Sequence, residues 1–169
     1  DPFLMYGEAG IQLFLFHRCF ELDDEENYVE ISDRYGQRID NIHKKTLYIN
    51  DPQKCNAGLA GGLSGIGWML DYMIRYPMID ADLFDVMGSV DPKIFRRMVY
   101  DIQEDRYDLL QGAAGIALYC VSRNERFSRE YLNRFVAELY KRMTLGKLND
   151  IQDYSIPLGL SGLYLLVRK

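Results

Sequence analysis

The acidic side chain best placed for chemistry is Asp108, four residues before Gly112 and just ahead of an apolar segment. An aspartate in this position can cap a helix, because its carboxylate accepts hydrogen bonds from the free amides of the first turn. At the end of a buried helix it could instead face a cavity and transfer protons. Spacing alone favours the cap and leaves both roles open.

Side chains that could bind a soft metal are few and scattered. The chain has three cysteines and two histidines, namely Cys19, Cys55, Cys120, His17 and His43. None of them forms the Cys-x-x-Cys or His-x-x-x-His spacing typical of a zinc site. Cys120 is expected in a helix core, and Cys55, which precedes a glycine-rich loop, is interpreted as a bystander. The sequence therefore predicts no zinc site within these five residues.

The chain contains four copies of a Gly-x-small-Gly pattern. Their second glycines are Gly10, Gly65, Gly115 and Gly162, at intervals of 55, 50 and 47 residues. Apolar residues follow each second glycine at positions +1, +3, +4 and +5. This spacing predicts a helix that is apolar around much of its circumference, and regular intervals of this length indicate a repeat architecture.

Amphipathic segments separate the glycine-led helices. They predict outer helices over 27–44, 92–102 and 128–143, with a short stretch at 83–87 before the second. Asp23 and Glu26 have capping-box spacing, and Asp91 with the following proline is predicted to start the second outer helix. The stripe predicted to face inward on the third is Tyr131, Leu132, Phe135, Val136, Leu139, Tyr140 and Met143. No alternating strand pattern of any length occurs, so the predicted fold is all-α.

Composition excludes several classes of function. The net charge is −5 with no basic stripe, which argues against a nucleic-acid partner. The pair Arg96-Arg97 is interpreted as a solvated helix face rather than a phosphate site. No apolar run approaches the roughly 20 residues of a membrane span. An odd number of scattered cysteines favours a reducing compartment, and we expect a cytoplasmic protein.

Three segments resemble the repeats of the lanthionine synthetase C-like (LanC-like) family: 61–68, 107–119 and 159–163. The resemblance spans nearly the whole chain. It implies an α/α toroid, in which an inner ring of helices lies inside an outer ring. It also implies cyclisation of precursor peptides by addition of a cysteine thiol to a dehydrated Ser or Thr. In the family, a zinc ion held by two cysteines and a histidine activates the thiol, and an acidic residue and a histidine assist proton transfer.

Carried over residue by residue, the resemblance makes Asp108 the candidate acid/base, because it matches the family's acid and its Gly-x-Ala/Ser-Gly setting. The family's zinc-ligand motifs have no match, and Leu158 stands where a later family motif has histidine. No cofactor is therefore expected in this chain, and zinc is expected only if a second half supplies two cysteines and a histidine. The chain alone is expected to be inactive.

The length of the chain predicts how many repeats it contains. Residues 1–169 form a single partial toroid domain of about three and a half helical hairpins, resembling the amino-terminal half of the family's barrel. The expected partners are a precursor peptide and either the second half or another copy of the chain. A non-catalytic helical-repeat module that binds a peptide or protein remains the alternative.

Overall fold

The computed structural model describes residues 3–5, 7–123, 126–150, 155–157 and 159. Within these ranges the protein consists of seven α-helices and two 3₁₀ turns, without a strand. The all-α prediction is confirmed. The predicted fourth glycine-led helix, near Gly162, lies outside the described residues.

The helices follow the predicted order of repeats. The inner helices are α1 (Glu8–Leu22), α3 (Leu63–Arg75) and α6 (Ala113–Arg123). The outer helices are α2 (Glu25–Leu47), α5 (Asp91–Gln103) and α7 (Arg126–Thr144), and the short α4 (Leu83–Met87) precedes α5. The 3₁₀ turns are Pro52–Lys54 and Lys147–Asp150. Each outer helix is longer than predicted by only one to three residues at each end. None of the helices described is long and apolar enough to cross a membrane.

A carbonyl oxygen lies directly against the second glycine of each described repeat. A β-carbon built on that glycine would overlap the carbonyl oxygen of the residue six positions upstream. The pairs are Gly10 with Leu4, Gly65 with Leu59, and Gly115 with Leu109. Glycine is therefore required at these positions because the loop backbone folds back onto the first turn of the inner helix.

These loops are joined by hydrogen bonds between equivalent residues. The Met5 N–H donates to the Ala60 carbonyl over 3.0 Å, and the Ala60 N–H donates to the Leu110 carbonyl over 2.8 Å. The Leu110 N–H continues the series by donating to the Pro157 carbonyl over 3.2 Å. All four residues stand five positions before a second glycine. The loops therefore form one layer at the N-terminal ends of the inner helices, here called the loop layer (residues 3–5, 56–62, 106–112 and 155–157).

Replacing Gly65 with Ala is expected to lower the free energy of unfolding by about 1–3 kcal/mol, because the new methyl group would be forced against the Leu59 carbonyl. Gly36→Ala is the matched control, since Gly36 lies in α2 and open space surrounds the position that its methyl group would occupy. That change should stabilise by about 0.5–1 kcal/mol through helix propensity. Urea denaturation of both variants measures the difference, and equal effects would contradict this account of the glycines.

The apolar residues at positions +1, +3, +4 and +5 are buried or partly buried in α3 and α6, as predicted. The prediction is wrong for α1. The +4 residue of α3, Met69, meets the hydroxyl of Tyr35 on α2, with 3.8 Å between oxygen and sulfur. The +4 residue of α6, Tyr119, packs on Phe95 of α5, with ring centroids 6.0 Å apart. Each therefore packs on the outer helix of the preceding repeat. In α1 the corresponding Phe14 is 66% exposed, because the described residues include no outer helix before α1.

Two predicted helix starts are shifted. Asp24, not Asp23, caps α2 by accepting a hydrogen bond from the Asn27 N–H over 3.3 Å. Asp23 instead ends α1 in the left-handed region, at φ 54°. The N-cap of α5 is Val90, and Asp91 lies within the helix as a buried residue.

The inward stripe of α7 is narrower than predicted. Phe135 and Leu139 are buried, whereas Val136, Tyr140 and Met143 are exposed. Tyr131 and Leu132 are partly buried and also pack against the core, so the part of the predicted stripe that contacts the core lies on one face of the helix. The broad apolar pattern of this segment overestimated its contact with the core.

Candidate functional site

Asp108 lies in the loop that leads into α6. The loop is closed by a hydrogen bond of 3.0 Å from the Ala113 N–H to the Arg106 carbonyl. Asp108 is half-buried, and its Oδ1 accepts a hydrogen bond of 2.7 Å from the Gln111 N–H. Its Oδ2 lies beside Gly112, where a β-carbon would come within 2.6 Å of it. The carboxylate therefore stabilises this turn within the loop. This bond is not the predicted helix cap, because Gln111 lies ahead of α6, which begins at Ala113. The acid/base role of Asp108 stays a prediction.

Gln111, held by this turn, lies over the loop of the preceding repeat. A β-carbon on Gly58 would come within 2.7 Å of its side-chain oxygen, and one on Gly61 within 2.9 Å of its side-chain nitrogen. The neighbouring Ala60 N–H bonds to the Leu110 carbonyl. Gly58 and Gly61 are the sequence signal for this close approach. The repeated glycine pattern alone did not indicate that Gln111 lies against them.

Asp101 anchors the same loop to the outer helix α5. It is 1% exposed, and its Oδ1 accepts from Arg97 Nε over 2.8 Å and from Arg106 Nη2 over 2.7 Å. Its backbone carbonyl also accepts from the Arg106 N–H, over 2.8 Å. Burial raises the pKa of this carboxyl, although both guanidinium groups act in the opposite direction. The position of Asp108 therefore depends on an ion-pair cluster that no sequence motif indicates.

Arg97 also anchors the preceding loop, so the prediction that Arg96 and Arg97 form a solvated face is wrong for Arg97. Its Nη1 donates to the Cys55 carbonyl over 2.7 Å and to two carbonyls of the turn Pro52–Lys54, over 3.1 and 2.9 Å. Its other contact is Asp101. One Arg–Asp pair on α5 thus fixes the start of both central loops of the loop layer.

The three cysteines are all free and buried. Burial raises the pKa of the Cys55 and Cys120 thiols, which disfavours the reactive thiolate. The Cys120 thiol donates to the Ser128 carbonyl over 3.1 Å. The prediction that Cys120 belongs to the helix core is confirmed, and Cys55 is not placed as a nucleophile.

The two histidines lie apart from the cysteines. Nε2 of His17 is 2.9 Å from the Tyr72 hydroxyl, and Nε2 of His43 is 2.5 Å from the Ser89 hydroxyl. Among the residues that the structure describes, no three His, Cys, Asp or Glu side chains converge as metal ligands. These side chains therefore do not fit the two-cysteine, one-histidine zinc site of the family that the sequence resembles.

Comparison with known proteins agrees with this architecture. Residues 4–161 match the family model of the lanthionine synthetase C-like protein, a span that includes Asp108 and most of the loop layer. Searches of curated proteins and of solved structures gave no significant match. The two helical layers described above agree with part of the α/α toroid that the resemblance implies. The chain therefore belongs to the lanthionine synthetase C-like family.

Proposed function

We propose that the chain acts in peptide modification, as the half of a cyclase that carries the proton-transfer acid. In this reaction, a peptide cysteine thiol adds to the β-carbon of a dehydrated Ser or Thr. A C–S bond forms, the C=C π bond breaks, and a proton is delivered to the α-carbon. Family membership supports this proposal, and Asp108 is the residue proposed to transfer the proton.

The observation that carries the proposal is the fixed position of the Asp108 carboxylate. One oxygen is hydrogen-bonded to the Gln111 N–H, and the loop is tied through Arg106 to the buried Asp101. A proton-transfer group is most effective when its position is set before the substrate arrives. Asp108 is half-buried, so it combines a fixed position with access to solvent or substrate.

Zinc enters the proposal only through ligands from outside this chain. A bound zinc would supply thiolate activation, and two cysteines and a histidine from a second half would hold it. The precursor peptide is the proposed substrate, and the second half or another copy of the chain is the proposed protein partner. Three free, buried cysteines agree with a reducing compartment such as the cytoplasm.

We expect the 169-residue chain to hold no stoichiometric zinc after purification and dialysis. A thiol-activating site needs about three protein ligands within roughly 2.0–2.3 Å of the metal, and the cysteines and histidines here are separately engaged or buried. Elemental analysis measures the zinc content per chain. About one tightly held zinc per chain, removable only with unfolding, would contradict the expectation.

The alternative is a non-catalytic module that binds a peptide without changing it. The aromatic side chains of Trp68, Tyr72 and Tyr76 contact one another and are at least partly exposed, which favours this second candidate. A peptide with one cysteine and one dehydroalanine distinguishes the two functions. It is incubated with a protein that combines this chain with the family's zinc-bearing half, and the remaining thiol is counted by alkylation and mass spectrometry. Loss of the thiol supports the cyclase, whereas a bound peptide that keeps its thiol supports the binding module.

A further inference from the structure

Among the described residues, one side of the inner helices is only partly covered. On α3, Trp68 and Tyr72 are partly exposed, while Met69 and Met73 on other sides of the helix are buried. Trp68 and Tyr72 stand at positions +3 and +7 from the second glycine, Gly65. The same positions are also partly exposed in the neighbouring inner helices. We call this surface the inner face: Leu13, His17, Trp68, Tyr72, Tyr76 and Leu118.

Three aromatic rings run along the inner face of α3. Trp68 stacks on Tyr72, with centroids 6.0 Å apart and planes 23° from parallel. Tyr72 lies 4.5 Å from Tyr76, measured between ring centroids, and Tyr76 is 56% exposed. A rise of about 12 Å over eight helical residues equals the length of roughly three to four residues of extended peptide. The stripe is therefore long enough to contact a short peptide segment.

Hydrogen bonding fixes the central ring of the stripe. The Tyr72 hydroxyl is 2.9 Å from His17 Nε2 on α1. Ordering this side chain in advance lowers the entropy cost of stacking a guest ring on its neighbours. A stripe ordered before the guest arrives is better suited to recognition than a set of independently mobile rings.

The charged groups beside the stripe neutralise each other. Arg75 and Asp71 form an ion pair of 2.9 Å, and the Arg75 guanidinium also donates to the Ser122 carbonyl over 2.7 Å. The α3 part of the inner face therefore presents aromatic surface without a net charge. Such a surface favours an uncharged ring over a Glu side chain, because aromatic pairs gain from offset and edge-to-face contacts, while a carboxylate would lose hydration and meet the negative faces of the rings.

We propose that the inner face binds an extended peptide segment through an aromatic side chain, which packs against the exposed Tyr76 end of the stripe. This inference rests on the proposed function, because the peptide is the precursor on which the protein acts. It adds a specificity that family membership does not provide: the recognised segment carries an aromatic residue beside the reacting one.

The chain has one tryptophan, so the emission of Trp68 reports on this face alone. The probes are acetylated, amidated pentapeptides Gly-Ser-X-Ser-Gly, in which X is Phe, Leu, Lys or Glu. We expect the Phe peptide to change the emission and to bind about three times more tightly than the Leu peptide. Over the Glu peptide we expect a preference of about tenfold, whereas the Lys peptide, whose ammonium can make a cation–π contact, should bind no more tightly than the Phe peptide. Equal affinities for the four peptides would overturn the aromatic specificity and leave peptide binding intact.

The test uses substitutions of exposed residues, because these should change binding without unfolding the protein. Tyr76→Ala should weaken binding of the Phe peptide about three- to tenfold. Tyr48→Ala is the matched control, because Tyr48 is 86% exposed at the end of α2, outside the inner face, and should have no effect. Equal effects of the two variants would overturn the proposal. Failure of every peptide, including a cysteine–dehydroalanine precursor, to bind the wild-type protein would overturn the proposed function as well. Binding of that precursor with unchanged Trp68 emission would overturn only the inner-face inference.

Discussion

Asp108→Asn is expected to lower the turnover of cyclisation about a hundredfold, at the lower end of general acid–base contributions. The amide nitrogen cannot replace the carboxylate as a base, whereas the amide oxygen can still accept the hydrogen bond from the Gln111 N–H. The loop should therefore keep its structure, with a small change in melting temperature. Cyclisation rates and thermal melts of the complete zinc-bearing protein measure the two effects separately.

Asp33→Asn provides the control for this substitution, since Asp33 is exposed on the outer helix α2. This substitution also converts a carboxylate to an amide, but at a position far along the chain from Asp108, and it should leave the rate of cyclisation unchanged. Unchanged turnover in Asp108→Asn would leave Asp108 with its role in the loop turn alone. A loss of stability large enough to explain a slower rate would also contradict the catalytic interpretation.

Asp91→Ala is expected to lower the free energy of unfolding by about 3–5 kcal/mol, the usual cost of breaking a buried ion pair. The Asp91 carboxylate accepts from the Tyr119 hydroxyl over 2.6 Å and from Arg123 Nε over 2.8 Å, and all three residues are buried. Removing the carboxylate takes away the acceptor of the Tyr119 hydroxyl and an ion-pair partner of the buried Arg123 guanidinium. Urea denaturation with a two-state fit measures the loss.

Two comparisons make this test specific to burial. Glu30→Ala breaks an exposed ion pair with Arg34 on α2 and should cost less than about 0.5 kcal/mol. The double change Asp91→Leu with Arg123→Met removes both charges and should be less destabilising than Asp91→Ala. If Asp91→Ala cost no more than Glu30→Ala, the buried pair would not contribute to the connection between α5 and α6.

The glycine pattern predicted where the inner helices begin because its cause is local. Gly65 and Gly115 each meet a carbonyl only six residues upstream, and such short-range geometry leaves a mark in the sequence. The hydrogen bonds that connect the loops could not be predicted in the same way. The bond from Met5 to Ala60 joins residues whose proximity depends on how whole repeats stack.

Asp91 shows why side-chain roles were harder to predict than helices. Its position before a proline is typical of a helix start, and the helix does begin there within one residue. The carboxylate, however, bonds to residues 28 and 32 positions further along the chain. Local propensity located the helix, whereas tertiary packing determined the partner. The Arg97–Asp101 pair was missed for the same reason, since its role is to hold loops from two different repeats.

For Asp108, the sequence predicted the position ahead of an inner helix but not the hydrogen bond that its carboxylate makes. The Asp108 carboxylate accepts from the Gln111 N–H, which lies ahead of α6, so this bond closes a turn in the loop and is not a helix cap. The proposed proton transfer is a property of the reaction and depends on where the substrate binds. Family resemblance pointed to this residue, and only a reaction can test the role.

If Asp108 delivers the proton to the α-carbon, as proposed, the stereochemistry of the product depends on this residue. Addition of a thiol to a dehydrated residue creates a new stereocentre there, so spontaneous addition in solution gives both diastereomers. The measurement is the diastereomer ratio of the thioether peptide formed by the complete zinc-bearing protein, separated by chromatography after hydrolysis. We expect a single diastereomer from the wild type and slower formation, with loss of that selectivity, from Asp108→Asn. A mixture from the wild type, or full selectivity and rate in the variant, would contradict this expectation.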